Sequence, residues 1–161
     1  MTDASAFRTP DAYLDLPRIA GLALSADGES LVTTMSELNA ARTKYVSSLW
    51  SIATDGTSAP RRLTRSTTGD SAPTFAANGD LLFVRAASGD DDAPSAVWAL
   101  SARGGEARRV AHRGGGVGGV VAASDVPVFT VAGAVLGDVD RDETLRALRK
   151  DKAVSAARAA S

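Results

Sequence analysis

The sequence predicts an all-β chain: an incomplete β-propeller of about two to three four-stranded antiparallel blades, with a short N-terminal helix and a C-terminal helical insertion. Three observations predict it. A segment occurs twice: Leu22-Ala23-Leu24-Ser25-Ala26-Asp27-Gly28 leads to Leu31-Val32, Leu49-Trp50-Ser51-Ile52 and Arg62-Leu63-Thr64, and Pro73-Thr74-Phe75-Ala76-Ala77-Asn78-Gly79 leads to Leu81-Leu82-Phe83-Val84, Val97-Trp98-Ala99-Leu100 and Arg109-Val110. Gly28 recurs as Gly79 and Trp50 as Trp98, a period of about 50 residues, as propeller blades and related arrays have. Each copy also opens with Asp-Gly or Asn-Gly, the strongest short-range hairpin signal. Finally, each copy holds four short strand candidates, the strand number of a propeller blade.

The elements follow in order. Thr9-Pro10-Asp11-Ala12-Tyr13-Leu14-Asp15-Leu16-Pro17 reads as a short helix, with Thr9 as N-cap and Pro10 at the first helical position. Pro17 ends it by steering its predecessor away from the helical region. The first strand of each copy is brief, Leu22 to Leu24 and Thr74 to Phe75, and a turn with positive φ at both central residues follows. The second strand is a continuous apolar run, Leu81 to Val84 in the clearer copy, which implies cover on both faces. The third alternates, so that Trp50 and Ile52 share a face, as do Trp98 and Leu100. The tryptophans are read as packing between blades rather than as a binding platform. The fourth carries Arg61-Arg62 or Arg108-Arg109, read as charge protecting a sheet edge, with a basic rim for an acidic peptide as the alternative.

A third copy starts with Val120-Val121-Ala122 and Pro127 to Val131. Asp138 to Lys152 then interrupts with a helical pattern, acidic at its start and basic near its end. Val154-Ser155-Ala156 opens a further strand, and no fourth follows. The expected division is residues 1–18 as helix and lead-in, 19–66 as blade one, 67–113 as blade two, and 114–161 as an incomplete blade three. Closed propellers have four to eight blades. This chain, with about two and a half, is therefore expected to be part of something larger.

Composition narrows the function. The 161 residues carry 18 basic and 19 acidic side chains, a balance that argues against nucleic acid or a polybasic membrane contact. There is no cysteine, hence no disulfide framework and no thiolate site. The first eight residues lack signal-peptide character, and the apolar run from Val126 to Gly137 is too short to span a bilayer. A cytoplasmic protein is expected.

At these same residues the chain resembles the N-terminal propeller of the prolyl oligopeptidase family of serine peptidases, with the acylaminoacyl-peptidase-like branch nearest. Thr9 to Arg18 is similar to that family's opening TPEDLLRLPRV, and Leu24-Ser25-Ala26-Asp27-Gly28 to its LSPDG turn, with Ala26 in place of proline. Leu49-Trp50-Ser51-Ile52 through Asp55-Gly56 to Arg62-Leu63-Thr64 resembles its paired strands, and Leu148 to Ala156 its RKDRKVSA stretch. The tail after Ala156 departs from the pattern. The resemblance implies a propeller that restricts peptide access to a hydrolase domain, with the nucleophile, acid and histidine all in that domain. The partners it implies are the hydrolase domain, the remaining blades and, indirectly, a peptide substrate. TolB-like propellers share the single-blade motifs, so the alternative is a propeller fragment acting as a protein-interaction module.

No catalytic, cofactor or metal residue is assigned. The chain has no Gly-x-Ser-x-Gly elbow, and its single histidine, His112, reads as a solvated loop residue after an outer strand. Gly114 to Gly119 satisfies G-x-G-x-x-G formally, but strand and turn residues follow it, so it reads as a flexible loop. Asp138-Val139-Asp140-Arg141-Asp142 alternates like a calcium loop, yet Glu143 and Arg149 stand where an EF-hand needs glycine and glutamate. Asp90-Asp91-Asp92 reads as an exposed hairpin tip. The isolated chain is expected to have no peptidase activity.

Overall fold

Short apolar runs punctuated by glycine turns build antiparallel meanders. A computed structural model describes residues 9–87 and 94–133. Asp90-Asp91-Asp92, the Asp138 to Lys152 segment and Val154-Ser155-Ala156 lie outside the described residues. The described chain is all-β apart from helix α1 (Pro10–Leu14). Thr9 caps that helix as expected, its hydroxyl accepting from the Ala12 amide at 3.1 Å.

Three antiparallel sheets follow, of 4, 4 and 2 strands. The first runs β1 (Arg18–Leu24), β2 (Ser30–Leu38), β3 (Tyr45–Ala53) and β4 (Arg61–Arg62), in sequence order. The second runs β5 (Asp70–Phe75), β6 (Leu81–Arg85), β7 (Ala96–Leu100) and β8 (Arg108–His112), with the same connectivity. The third pairs β9 (Gly119–Ala122) with β10 (Phe129–Ala132). In matching register, Thr33 faces Trp50 and Trp50 faces Arg62, while Phe83 faces Trp98 and Trp98 faces Arg109.

Several strands are longer than expected, among them β2 and β3, and in two of them an irregularity hides the extra length. β1 reaches back to Arg18 and β5 to Asp70, each across a register irregularity, at Gly21 and at Ala72-Pro73 respectively. A bulge breaks the period-two pattern, so the residues before it do not read as strand. The turns also differ from expectation. Only Gly28 (φ 76) and Gly79 (φ 82) have positive φ there; Asp27 and Asn78 do not. Gly28 and Gly79 amides donate to the Ser25 and Ala76 carbonyls, closing a turn that ends on a left-handed glycine. The Asp27 and Asn78 side chains accept from the amides of Glu29 and Asp80, two residues on. That local bond serves a turn of three or four residues better than a two-residue one.

The second sheet is buried on both faces. On one side Leu81 and Phe83 meet Val32 and Leu49 of the first sheet, with Leu63, Phe75, Trp98 and Leu100 around them. On the other, Leu82, Val84, Val97 and Ala99 meet Val117 and Val120. The four-residue apolar run of β6 thus has the two-sided cover that its pattern implied.

Gly114 to Gly119 corrects the expectation of a flexible loop. Gly115, Gly116 and Val117 are buried, the Val117 amide donates to the Ser95 hydroxyl at 2.9 Å, and the Gly118 amide donates to the Ala132 carbonyl at 2.7 Å. A Cβ on Gly133 would stand 3.0 Å from the Gly116 carbonyl oxygen, so glycine permits a backbone approach that any side chain would obstruct. A strand, not a helix, follows the run.

Candidate functional site

The strongest candidate is the face of the first sheet turned away from the second. Strand register puts Ile19, Leu22 and Leu24 of β1 on one face with Leu31, Met35, Trp50 and Ile52. Ile19 and Leu22 are each 67% exposed and Leu24 57%. Trp50 lies partly buried on this face, its indole N–H donating to the Ser48 hydroxyl at 3.0 Å. Trp98, at the matching position, packs between the first two sheets beneath the Arg85 guanidinium, 4.3 Å from its ring centre. The expectation that both tryptophans pack between sheets therefore holds within the described residues for Trp98 alone. A contiguous exposed apolar face of this kind marks a surface built to be covered.

The basic residues at the outer strands do not converge. Arg61, Arg108 and Arg109 are exposed, while Arg62 Nε donates to the Thr64 carbonyl at 2.9 Å. Lys44, Arg62 and Arg65 line a groove of about 530 Å³ that also contains Glu37. Between the first two sheets a cleft of about 310 Å³ has Val32, Phe75, Leu81 and Leu100 in its walls and Ser30, Ser51 and Arg61 among its polar lining. His112 is the last residue of β8 and exposed, not in a loop. Among the described residues no group of three or more histidine, cysteine or acidic side chains comes together to hold a metal.

One buried polar pair escaped sequence reasoning. Asp70 is fully buried and accepts from Arg85 Nε at 2.7 Å and from its terminal nitrogen at 3.2 Å. The two residues are cross-strand partners, and Arg85 also stacks on Trp98. Only the pairing register could have signalled it, and the irregularity at Ala72-Pro73 hides that register. Two exposed turn carboxylates sit below their ordinary value. Asp27 is lowered by the Ser25 hydroxyl and then by the Glu29 amide, and Asp55 by the Thr57 amide and hydroxyl. Both serve turn geometry. No helix among the described residues is long and apolar enough to cross a membrane.

No protein-family profile matches the chain, and no curated protein matches it. Among solved structures, the apo form of the AtxE2 isopeptidase is similar, with a TM-score of 0.55 and 20% sequence identity. The match covers 70% of this chain and 21% of that one, so the likeness is one of fold, and the chain spans about a fifth of the isopeptidase's length.

Proposed function

We propose that this chain is the non-catalytic propeller segment of a cytoplasmic serine peptidase of the prolyl oligopeptidase type. In this reading residues 19–66, 67–113 and 114–161 are successive blades, the last incomplete, and residues 1–18 are the lead-in. Its work is steric: with the remaining blades it forms a tunnel or lid that admits short peptides to a hydrolase domain carried elsewhere. The chain by itself hydrolyses nothing and engages neither nucleic acid nor membrane.

The observation that carries the reading is the unequal cover of two like sheets. The second sheet is packed on both faces, while the first leaves Ile19, Leu22 and Leu24 to solvent. A stacked array that stops short leaves such a flank. The isopeptidase likeness supports the same reading, since it covers only 21% of that longer chain. The sequence motifs of the opening and of Leu148 to Ala156 supply the peptidase type.

The test begins with the continuing reading frame. Gly-x-Ser-x-Gly followed by Asp and His in α/β-hydrolase order is expected. The peptidase so encoded, assayed with and without residues 1–161, should lose its preference for short over long peptides by about tenfold in kcat/KM on truncation. An unchanged preference would refute the steric role. Further sheets followed by a stop would instead support the interaction-module reading, which the exposed apolar face also suits.

A further inference from the structure

Helix α1 is too short to hold itself. Isolated helices below ~12 residues are marginal in water, and α1 has five residues, none of them buried. What orders it is a set of polar contacts with the tip of the β2–β3 hairpin. The Arg42 guanidinium bonds the Asp15 carboxylate at the helix end and lies 3.9 Å from the Asp11 carboxylate. The Tyr45 hydroxyl donates to the Leu14 carbonyl at 2.8 Å, satisfying one of the acceptors a helix end leaves open. The Arg18 guanidinium stands over the Tyr45 ring at 4.2 Å, which orients the phenol.

Arg42 occupies its position against its own backbone preference. Its φ is 56, one of two positive values among the described non-glycine residues. The surrounding turn enforces it: the Arg42 amide donates to the Asn39 carbonyl at 2.8 Å, and the Asn39 side chain accepts from the Thr43 and Lys44 amides. Glycine or asparagine would suit that backbone better, but neither would reach Asp15 with a cation. The arginine is thus explained by the contact and not by the turn.

We propose that α1 is an electrostatically latched segment, exchanging between a docked helix and a melted stretch of chain, with Arg42 as the latch and ionic strength setting the balance. Both members of the Arg42–Asp15 pair are about half exposed, so salt screens them. No residue of α1 is fully buried, so apolar packing offers little to compensate when the pair weakens. Pro17 separates the segment from β1, so its release leaves the first sheet intact.

Hydrogen exchange on the whole 161-residue chain tests this. The reporters are the Tyr13 and Asp15 amides, bonded to the Thr9 and Asp11 carbonyls. Raising sodium chloride from about 0.05 M to about 0.5 M should speed their exchange about five-fold, the factor a well-formed exposed ion pair supplies, and leave the amides of β6 unchanged. Arg42→Gly should relieve the turn, so the protein melts at an equal or higher temperature, while Tyr13 and Asp15 exchange about five-fold faster and lose their salt response. Asp15→Asn, which leaves the hairpin untouched, should give the same exchange phenotype. Protection of α1 that is indifferent to salt, or that survives both substitutions, would overturn the proposal. So would an Arg42→Gly effect spread evenly over β2 and β3, which would mark a merely structural residue.

Discussion

At matching positions the second sheet pairs Phe83 with Trp98, and the first pairs Thr33 with Trp50. One step along, the second sheet sets Asp70 against Arg85 where the first sets Ile19 against Met35. The motif is one, and the surroundings are two. Phe83 and Trp98 sit where another sheet presses on them, whereas Trp50 is only half-buried and Ile19 is exposed, on a face against which no second sheet packs among the described residues. The comparison teaches that repeat sequence specifies the pleat and the register, and that neighbours decide what each face is worth. An apolar residue in a repeat contributes through its burial, and burial is a property of the stack.

Four measurements test the contrast between the two sheets. The largest effect is expected from Phe83→Ala, which opens a cavity at a fully buried site between the first two sheets and should cost about 3–5 kcal/mol in urea denaturation. A loss below about 1 kcal/mol would mean that the two sheets are not pressed together in solution. Next comes Asp70→Asn, which strands Arg85 beside a buried neutral amide and should cost about 3 kcal/mol by the same measurement. The change at the matching position of the first sheet, Ile19→Ala, should cost less. Third, Leu22→Ser on the uncovered face should shift stability by no more than about 0.5 kcal/mol in this chain. In the longer protein proposed above, where the face would be covered, it should cost several times more, and equal costs in the two settings would refute a covered face.

The smallest effect concerns acid. Asp27 is held below its ordinary value of 3.8, chiefly by the Ser25 hydroxyl, so its folded-state affinity for a proton is lower than in the unfolded chain. Its contribution is fully present above that ordinary value and disappears as pH falls through the depressed one. Thermal melts from neutral pH down through the acid range should therefore show Asp27→Asn losing slightly less stability on acidification than the unaltered chain. Asn78 fills the matching turn of the second sheet without a titrating group and needs no such correction.

Much of this architecture was legible in the residues. The hairpin turns stand at Gly28 and Gly79, the apolar run of Leu81 to Val84 is covered on both faces, and the tryptophans hold equivalent register. These features are local: period-two patterns and turn chemistry act over a few residues. What stayed hidden depends on register or on distant neighbours. Bulges at Gly21 and Ala72-Pro73 concealed the inner halves of β1 and β5, and with them the Asp70–Arg85 pair. The glycine run looked like slack because its burial comes from Ser95 and Ala132, far along the chain. An incomplete stack was legible, and its open flank was expected on the last blade; that the first sheet carries an open face, with the half-buried Trp50 on it, was not.

The strictly sequential order of strands within each sheet bears on synthesis. Within each sheet every strand after the first pairs with the one made just before it, so the first sheet has all its partners once residue 62 has left the ribosome. Local pairing of this sort assembles quickly, because little chain must be looped to make each contact. From that moment until the next apolar surface is translated, the nascent chain presents Val32 and Leu49 as well as Ile19, Leu22 and Leu24 to its surroundings. The time for which both faces of the first sheet stand open during synthesis is therefore set by how fast residues 63–100 are made.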